Sequence, residues 1–295
     1  GTPIEPKYYV PTLPLILING SEGIGTGYST NIPCYNPEDI KEVIKQYFRK
    51  EKMKELKPWY PNFKGTITAN ETNTIFKVSG VYEKVKENMI RITELPVGYW
   101  TQDFKDYLET LIDVKIQSYQ NYSTEAEINF EIKLIPNKVK DIEKEFKLTK
   151  NMRTTNMHLF DAEGHIKKYD SPHQIIEEFI KVRLLYYDKR KDYLLTNMKR
   201  EMLIMQNKMR FINMIMNDEI VIFKKSKKIV IEELKENKFS TVQKTFDYLL
   251  DMKLHTFTSE QLQKLEREIN NVDKKMNDLK SMNNLDMWNN DILKC

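Results

Sequence analysis

Cysteine is scarce: Cys34 and Cys295 are the only two. Thiols so far apart in sequence make neither a disulfide framework nor a four-ligand zinc site, and they point to a reducing, intracellular setting. Cys295 is the last residue, so it is not a prenylation box. Long apolar runs are also missing. No stretch reaches the roughly 18 apolar residues of a membrane-spanning helix, so no membrane partner is expected. Excess charge of one sign is absent, because 47 Lys+Arg against 43 Asp+Glu leaves only +4. That excludes a polybasic tail. The opening Gly1-Thr2-Pro3-Ile4-Glu5-Pro6 is neither basic nor apolar enough for a signal peptide. It does not start with Met, so a piece of a longer chain is expected. His158, His165, His173 and His255 have no Cys or carboxylate at ligand spacing, which speaks against a metal site.

What is present is enough for a core: 295 residues, roughly two domains at about 100–200 residues each. The 16 Tyr and 13 Phe argue against disorder. The period changes along the chain. Up to about Phe160, strands, turns and short helices alternate; after about Tyr169 the pattern is nearly all helical, which makes the fold class α+β. Leu13–Ile18 is a short apolar run bounded by Pro and Asn-Gly and is expected to be a buried strand or extended segment. Asn36 and Pro37 predict a helix N-terminus, with Ile40, Val43, Ile44, Tyr47 and Phe48 on its apolar face to about Lys50. Strands are expected at Thr74–Tyr82, Met89–Leu95 and Glu127–Leu134, the last with strict alternation, and helices at about Thr101–Asp113 and Asn137–Lys144.

Ser171 and Pro172 open a long helix, and no later Gly or Pro interrupts the chain. Ile175, Phe179, Val182 and Tyr186 recur at helical spacing, as do Met198, Met202, Met205 and Met209. The methionines read as packing, since Met fills irregular gaps. Leu262, Leu265, Ile269, Val272, Met276 and Leu279 step by 3, 4, 3, 4, 3 on a returning segment. Two such stripes flanking an insert at residues 217–257 predict an antiparallel coiled-coil arm. The insert is too small to bury its apolar face alone and should dock on a partner.

The run Asn19-Gly20-Ser21-Glu22-Gly23-Ile24-Gly25-Thr26-Gly27 invites a dinucleotide reading. Such a turn must open directly into a helix, and Pro33 soon afterwards argues against one. An apolar Ile24 between two glycines remains compatible with a plain turn or with a wedge between base pairs. Trp100 alone reads as core or interface, and Lys147–Arg153 as a solvated face or a phosphate contact.

Several stretches together resemble a known family. They are Ile4-Glu5-Pro6 with Tyr9, Pro11 and Leu13-Pro14; Leu17 to Ser29; Phe63-Lys64-Gly65-Thr66-Ile67; Ile92-Thr93-Glu94-Leu95-Pro96-Val97 with Trp100-Thr101-Gln102; Asn156 to Asp161; Ile166 to Tyr169; Val182-Arg183-Leu184 through Leu195; Asp247 to Met252; and Asp286-Met287-Trp288. In collinear order over essentially the whole chain, they are similar to the eukaryotic-type type IIA DNA topoisomerases.

The resemblance implies the following layout. Residues 1–37 would end a winged-helix domain and carry a DNA-bending turn. Residues 38–168 would form a mixed tower domain, 169–216 the first helix of the arm, 217–257 a small, mainly helical C-gate that pairs a homodimer, and 258–295 the returning helix and tail. The implied activity is ATP-dependent passage of one duplex through a transient break in another, with Mg2+ and ATP required by the full-length enzyme. Here no residue is implied to be catalytic, cofactor-binding or metal-binding. The nucleophilic tyrosine, the metal-binding acids and the ATPase would lie upstream on the same chain, so the segment alone should be inactive. By position, Ile24 matches an intercalating isoleucine. Gly23, Gly25, Trp100, Lys147, Lys150, Arg153, Thr154 and Asn156 match DNA-binding positions. Asn31 departs from the Lys that many members carry. The implied partner is double-stranded DNA. The location is nuclear for a cellular protein and host cytoplasm for one from a large DNA virus. Two other readings stay open. One is a non-catalytic coiled-coil dimerisation module. The other is the A-type chain of a gyrase or topoisomerase IV, against which Asp247–Met252 and Asp286–Trp288 speak.

Overall fold

In the computed structural model the described residues are 4–6 and 9–294. The readings that touch residues 1–3, Lys7, Tyr8 and Cys295 lie outside them. Compactness divides the chain into two units, Gly1–Val182 and Arg183–Cys295.

The first unit opens with a correction. Leu15–Asn19 is a helix, α1, not a strand. A short apolar run has no period to arbitrate between the two. Here Leu13 and Leu17, four apart, both face the core. Gly20 then takes φ 67°, and a Cβ there would lie 2.7 Å from the carbonyl oxygen of Ile32. That close approach stops the helix and lets strands β1 (Ser21–Ile24) and β2 (Ser29–Ile32) fold back as an antiparallel hairpin. Helix α2 (Pro37–Arg49) follows as the sequence predicts. The Asn36 side chain accepts from the Glu38 N–H, and Ile40, Val43 and Ile44 are buried.

The strand expected at Thr74–Tyr82 is two strands in two sheets. β3 (Thr66–Ala69) pairs with β4 (Ile75–Ser79), while β5 (Val81–Lys86) pairs with β6 (Met89–Glu94). The break falls at Gly80, where a Cβ would sit 2.3 Å from the Glu94 carbonyl oxygen. Helix α3 (Thr101–Glu109) ends before the expected Asp113, which has φ 61°. Strand β7 (Ile116–Asn121) precedes β8 (Phe130–Leu134), whose Phe130, Ile132 and Leu134 all point inward. The expected helix at Asn137–Lys144 shrinks to α4 (Ile142–Glu145), capped by Asp141, because Asn137 sits at φ 61° and cannot begin a helix. β9 (Thr149–Arg153) completes the β3-β4-β9 sheet, and β5-β6-β8-β7 form the other. Ile90, Ile92, Phe104, Leu108, Phe130, Ile132, Phe146 and Leu148 share one core, with the Phe104 and Phe130 rings edge-on at 5.1 Å. β10 (Met157–Phe160) and β11 (Ile166–Tyr169) make a last hairpin, with β10 beside β2.

Helix α5 (Pro172–Met216) runs 45 residues without interruption and crosses the division between the units. The Ser171 hydroxyl accepts from the Gln174 N–H at its start. Within the second unit come α6 (Lys227–Glu236), α7 (Asp247–Leu250), α8 (Ser259–Ser281) and α9 (Asn284–Ile292). α8 runs antiparallel to α5. Lys191 donates to the carbonyls of Lys280 and Met282, whereas Met205 and Lys208 share a cleft with Gln261 and Leu265. Leu265, Met276 and Leu279 of the predicted stripe are buried. The insert does build a small core, from Ile220, Val230, Leu234, Phe239, Phe246 and Leu249 around Phe211 of α5. Val221, Phe223, Ile229 and Leu254 stay exposed on it. Among the described residues, no helix is long and apolar enough to cross a membrane.

Candidate nucleic-acid interface

The β1–β2 hairpin positions its apolar residue by geometry alone. Ile24 ends β1 opposite Ser29, and the Gly25 N–H donates to the Tyr28 carbonyl at 2.8 Å to close the turn. The Ile24 side chain is 94% exposed. Gly23 faces open space, and Gly25 lies against the Tyr28 ring. A bare backbone on either side of an outward isoleucine leaves nothing to shield it from an incoming surface.

One side of this hairpin meets basic strand β9. Glu22, Asn31, Tyr60, Lys150, Arg153 and Asn156 line a single cleft of about 460 Å³. Lys150 reaches the Gly98 carbonyl at 3.4 Å, and Arg153 is exposed. Tyr60 donates to the Met152 sulfur at 3.6 Å. Burial, with Cys34 nearby, pushes its phenol up to about 12, so it stays a neutral donor. Two cations against the single carboxylate of Glu22, with amides and a hydroxyl beside them, leave the cleft net positive and suit an anionic, extended ligand such as a phosphodiester backbone.

The other sequence candidates scatter. Trp100, at the N-cap of α3, is 74% exposed. Lys147 holds its amine 3.8 Å over the Tyr107 ring, beside a cleft it lines with Pro96, Gly98, Tyr99 and Lys150. Thr154 is turned inward. It is 5% exposed, and both its N–H and its hydroxyl donate to the Thr74 carbonyl, at 3.0 and 3.4 Å. It braces the end of β9 and offers no group to a ligand. Asn156 splits its roles. Its carbonyl accepts from the Asn31 N–H at 2.7 Å, and its amide donates to the Ser29 hydroxyl at 2.8 Å.

Sequence reasoning missed His158 and Ser29, which join hairpin to strand. His158 Nδ1 lies 2.9 Å from the Ser29 carbonyl oxygen. They stand 129 positions apart in the chain, so no local signal relates the pair. Among the described residues no group of three or more His, Cys, Asp or Glu could hold a metal ion.

The family whose model matches residues 1–293 is described as the A subunit of DNA gyrase/topoisomerase IV. A DNA topoisomerase 2 of Penicillium chrysogenum is 37% identical over 332 residues, covering 99% of this chain and 21% of the relative. One from Pisum sativum is 44% identical over 252 residues, covering 81% of this chain and 17% of the relative. The crystal structure of the Plasmodium falciparum topoisomerase II DNA-binding, cleavage and re-ligation domain superposes with a TM-score of 0.90 at 37% identity, over 99% of this chain and 44% of that one. The chain thus spans about a fifth of the length of the curated relatives it matches.

Proposed function

The chain belongs to the family of DNA gyrase and topoisomerase IV A subunits, in its eukaryotic DNA topoisomerase 2 branch, and from that premise we propose that it binds and bends the gate duplex of an ATP-dependent type II topoisomerase. The observation that carries this reading is the placement of Ile24: an apolar side chain, 94% exposed, on a glycine-flanked hairpin beside a cationic cleft. Ile24 inserts between base pairs and opens the stack. Such bending costs of order 1–6 kcal/mol and is offset by the contacts the bend permits. Lys150 and Arg153 neutralise phosphates and hold the duplex in register, with Asn31 and Asn156 as uncharged donors beside them. Lys147, beside Lys150 on a neighbouring cleft, adds a further cation, and Trp100 offers an exposed ring to the duplex.

The layout proposed for the rest follows the family. Residues 1–37 complete a winged-helix domain, 38–168 form the tower, α5 and α8 form a coiled-coil arm, and 217–257 pair two copies as the exit gate. Val221, Phe223, Ile229 and Leu254, exposed on so small a unit, support pairing there. ATP hydrolysis, Mg2+ binding and strand cleavage belong in this reading to the remainder of the full-length enzyme. No three-carboxylate or similar cluster among the described residues fits a metal ion.

The test is Ile24→Ala in the full-length protein, with a duplex labelled at both ends for energy transfer. A several-fold smaller but still measurable bent population at unchanged occupancy is expected. Bending equal to wild type overturns the reading. Light scattering over a concentration series tests the gate. Twice 35.2 kDa supports pairing through residues 217–257, and a strict monomer removes it.

A further inference from the structure

A two-stranded hairpin with four-residue strands is marginal by itself. Ile24, almost wholly exposed, contributes no packing that would fix its own direction. Whatever it pushes against, the reaction force passes through the backbone of the hairpin. The anchor must therefore lie on the opposite strand, and the structure supplies one. Ser29 faces Ile24 across the ladder. Its hydroxyl accepts from Asn156 at 2.8 Å, and its carbonyl oxygen lies 2.9 Å from His158 Nδ1. The same Nδ1 is 3.0 Å from the Asn156 Oδ1. Both neighbours of Nδ1 are acceptors, so Nδ1 carries the proton and shares it between them. The His158 N–H also donates to the Thr30 hydroxyl at 3.2 Å. The Tyr28 ring lies 6.3 Å from the imidazole at 51°, on the turn itself.

We propose that His158 is a positioning residue for Ile24, clamping the far strand of the hairpin through its Nδ1–H so that the isoleucine keeps its direction against the DNA stack. This rests on the reading of Ile24 as the bending wedge. His158 touches no DNA in this role; it acts through Ser29.

The test uses the full-length protein and the doubly labelled duplex. His158→Leu keeps bulk and removes the donor. His158→Asn returns an N–H near the place of Nδ1. His158→Leu should lower the bent fraction about two- to tenfold, the weight of one neutral hydrogen bond, and His158→Asn should restore most of it. In an Ile24→Ala background His158→Leu should change nothing further. Wild-type bending in His158→Leu overturns the clamp, and so does an equal loss in the Ile24→Ala background, which marks a merely structural effect. If Ile24→Ala itself bends DNA normally, the wedge reading fails instead, so the two failures are separable. Nitrogen-15 spectra of the wild-type histidine add a check that needs no variant. At alkaline pH they should show Nδ1 protonated and Nε2 bare, and the reverse tautomer overturns the clamp.

Discussion

The hydroxyl of Tyr187 donates to Asp291 at 2.7 Å across 104 residues of sequence, and Arg190 and Arg183 close on the same carboxylate oxygen at 2.6 and 3.6 Å. This cluster ties α9 to α5 within the second unit. Burial pushes the Asp291 carboxyl up, but the bonds from Tyr187 and Arg190 and the charges of Arg190 and Arg183 outweigh it and hold the group below its ordinary 3.8. A carboxylate with a depressed folded value stabilises the fold above its unfolded value, and that stability disappears as pH falls through the folded one. The melting temperature should therefore drop as pH is lowered from about 5 to about 3. Asp291→Asn should flatten that limb when melts are followed by circular dichroism against pH. Asp291→Ala should cost about 3 kcal/mol, near the low end for a broken buried pair because Arg190 is half exposed.

Trp288 is fully buried, its ring 5.9 Å from that of Tyr187. Trp288→Ala leaves a cavity at the α5–α9 contact. Denaturant titration should show a loss of about 3–5 kcal/mol. A loss under about 1 kcal/mol would mean that the site collapses without the ring.

Gly20, just before β1, and Ile24, which ends it, should behave in opposite ways. Gly20→Ala forces a side chain to φ 67° and against the Ile32 carbonyl. Thermal melts should show a loss of at least about 1 kcal/mol. Ile24→Ala removes an exposed side chain and should leave stability within about 0.5 kcal/mol, whatever it does to DNA bending.

Lys150 and Arg153 share a wall of one cleft. Each lost phosphate contact should lower the slope of log K against log salt by about 0.9. Lys150→Ala with Arg153→Ala should therefore reduce that slope by nearly two in a salt titration of duplex binding. Thr154→Val should leave the slope unchanged, since its hydroxyl faces Thr74.

Chain-local signals were enough for the starts of α2 and α5 and for the alternating strand. Asn36-Pro37 and Ser171-Pro172 start helices because their side chains and fixed φ act within one turn, and Phe130, Ile132 and Leu134 alternate because a strand's period is two. The collinear motifs carried the family, and the glycines around Ile24 made that residue stand out. Leu13–Ile18 shows where such signals stop. Six apolar residues have no decisive period; the burial of Leu13 and Leu17, four apart, goes with a helix, and the close approach of Gly20 to Ile32 ends it. Gly80 broke one expected strand into two because the Glu94 backbone comes too near for a side chain. The gathering of Asn31, Lys150, Arg153 and Asn156 into one cleft depends on contacts between chain segments more than a hundred residues apart, as does the hold of His158 on Ser29. Which distant strand lies beside β2 is decided by burial of the whole unit, a free-energy term that no local stretch contains.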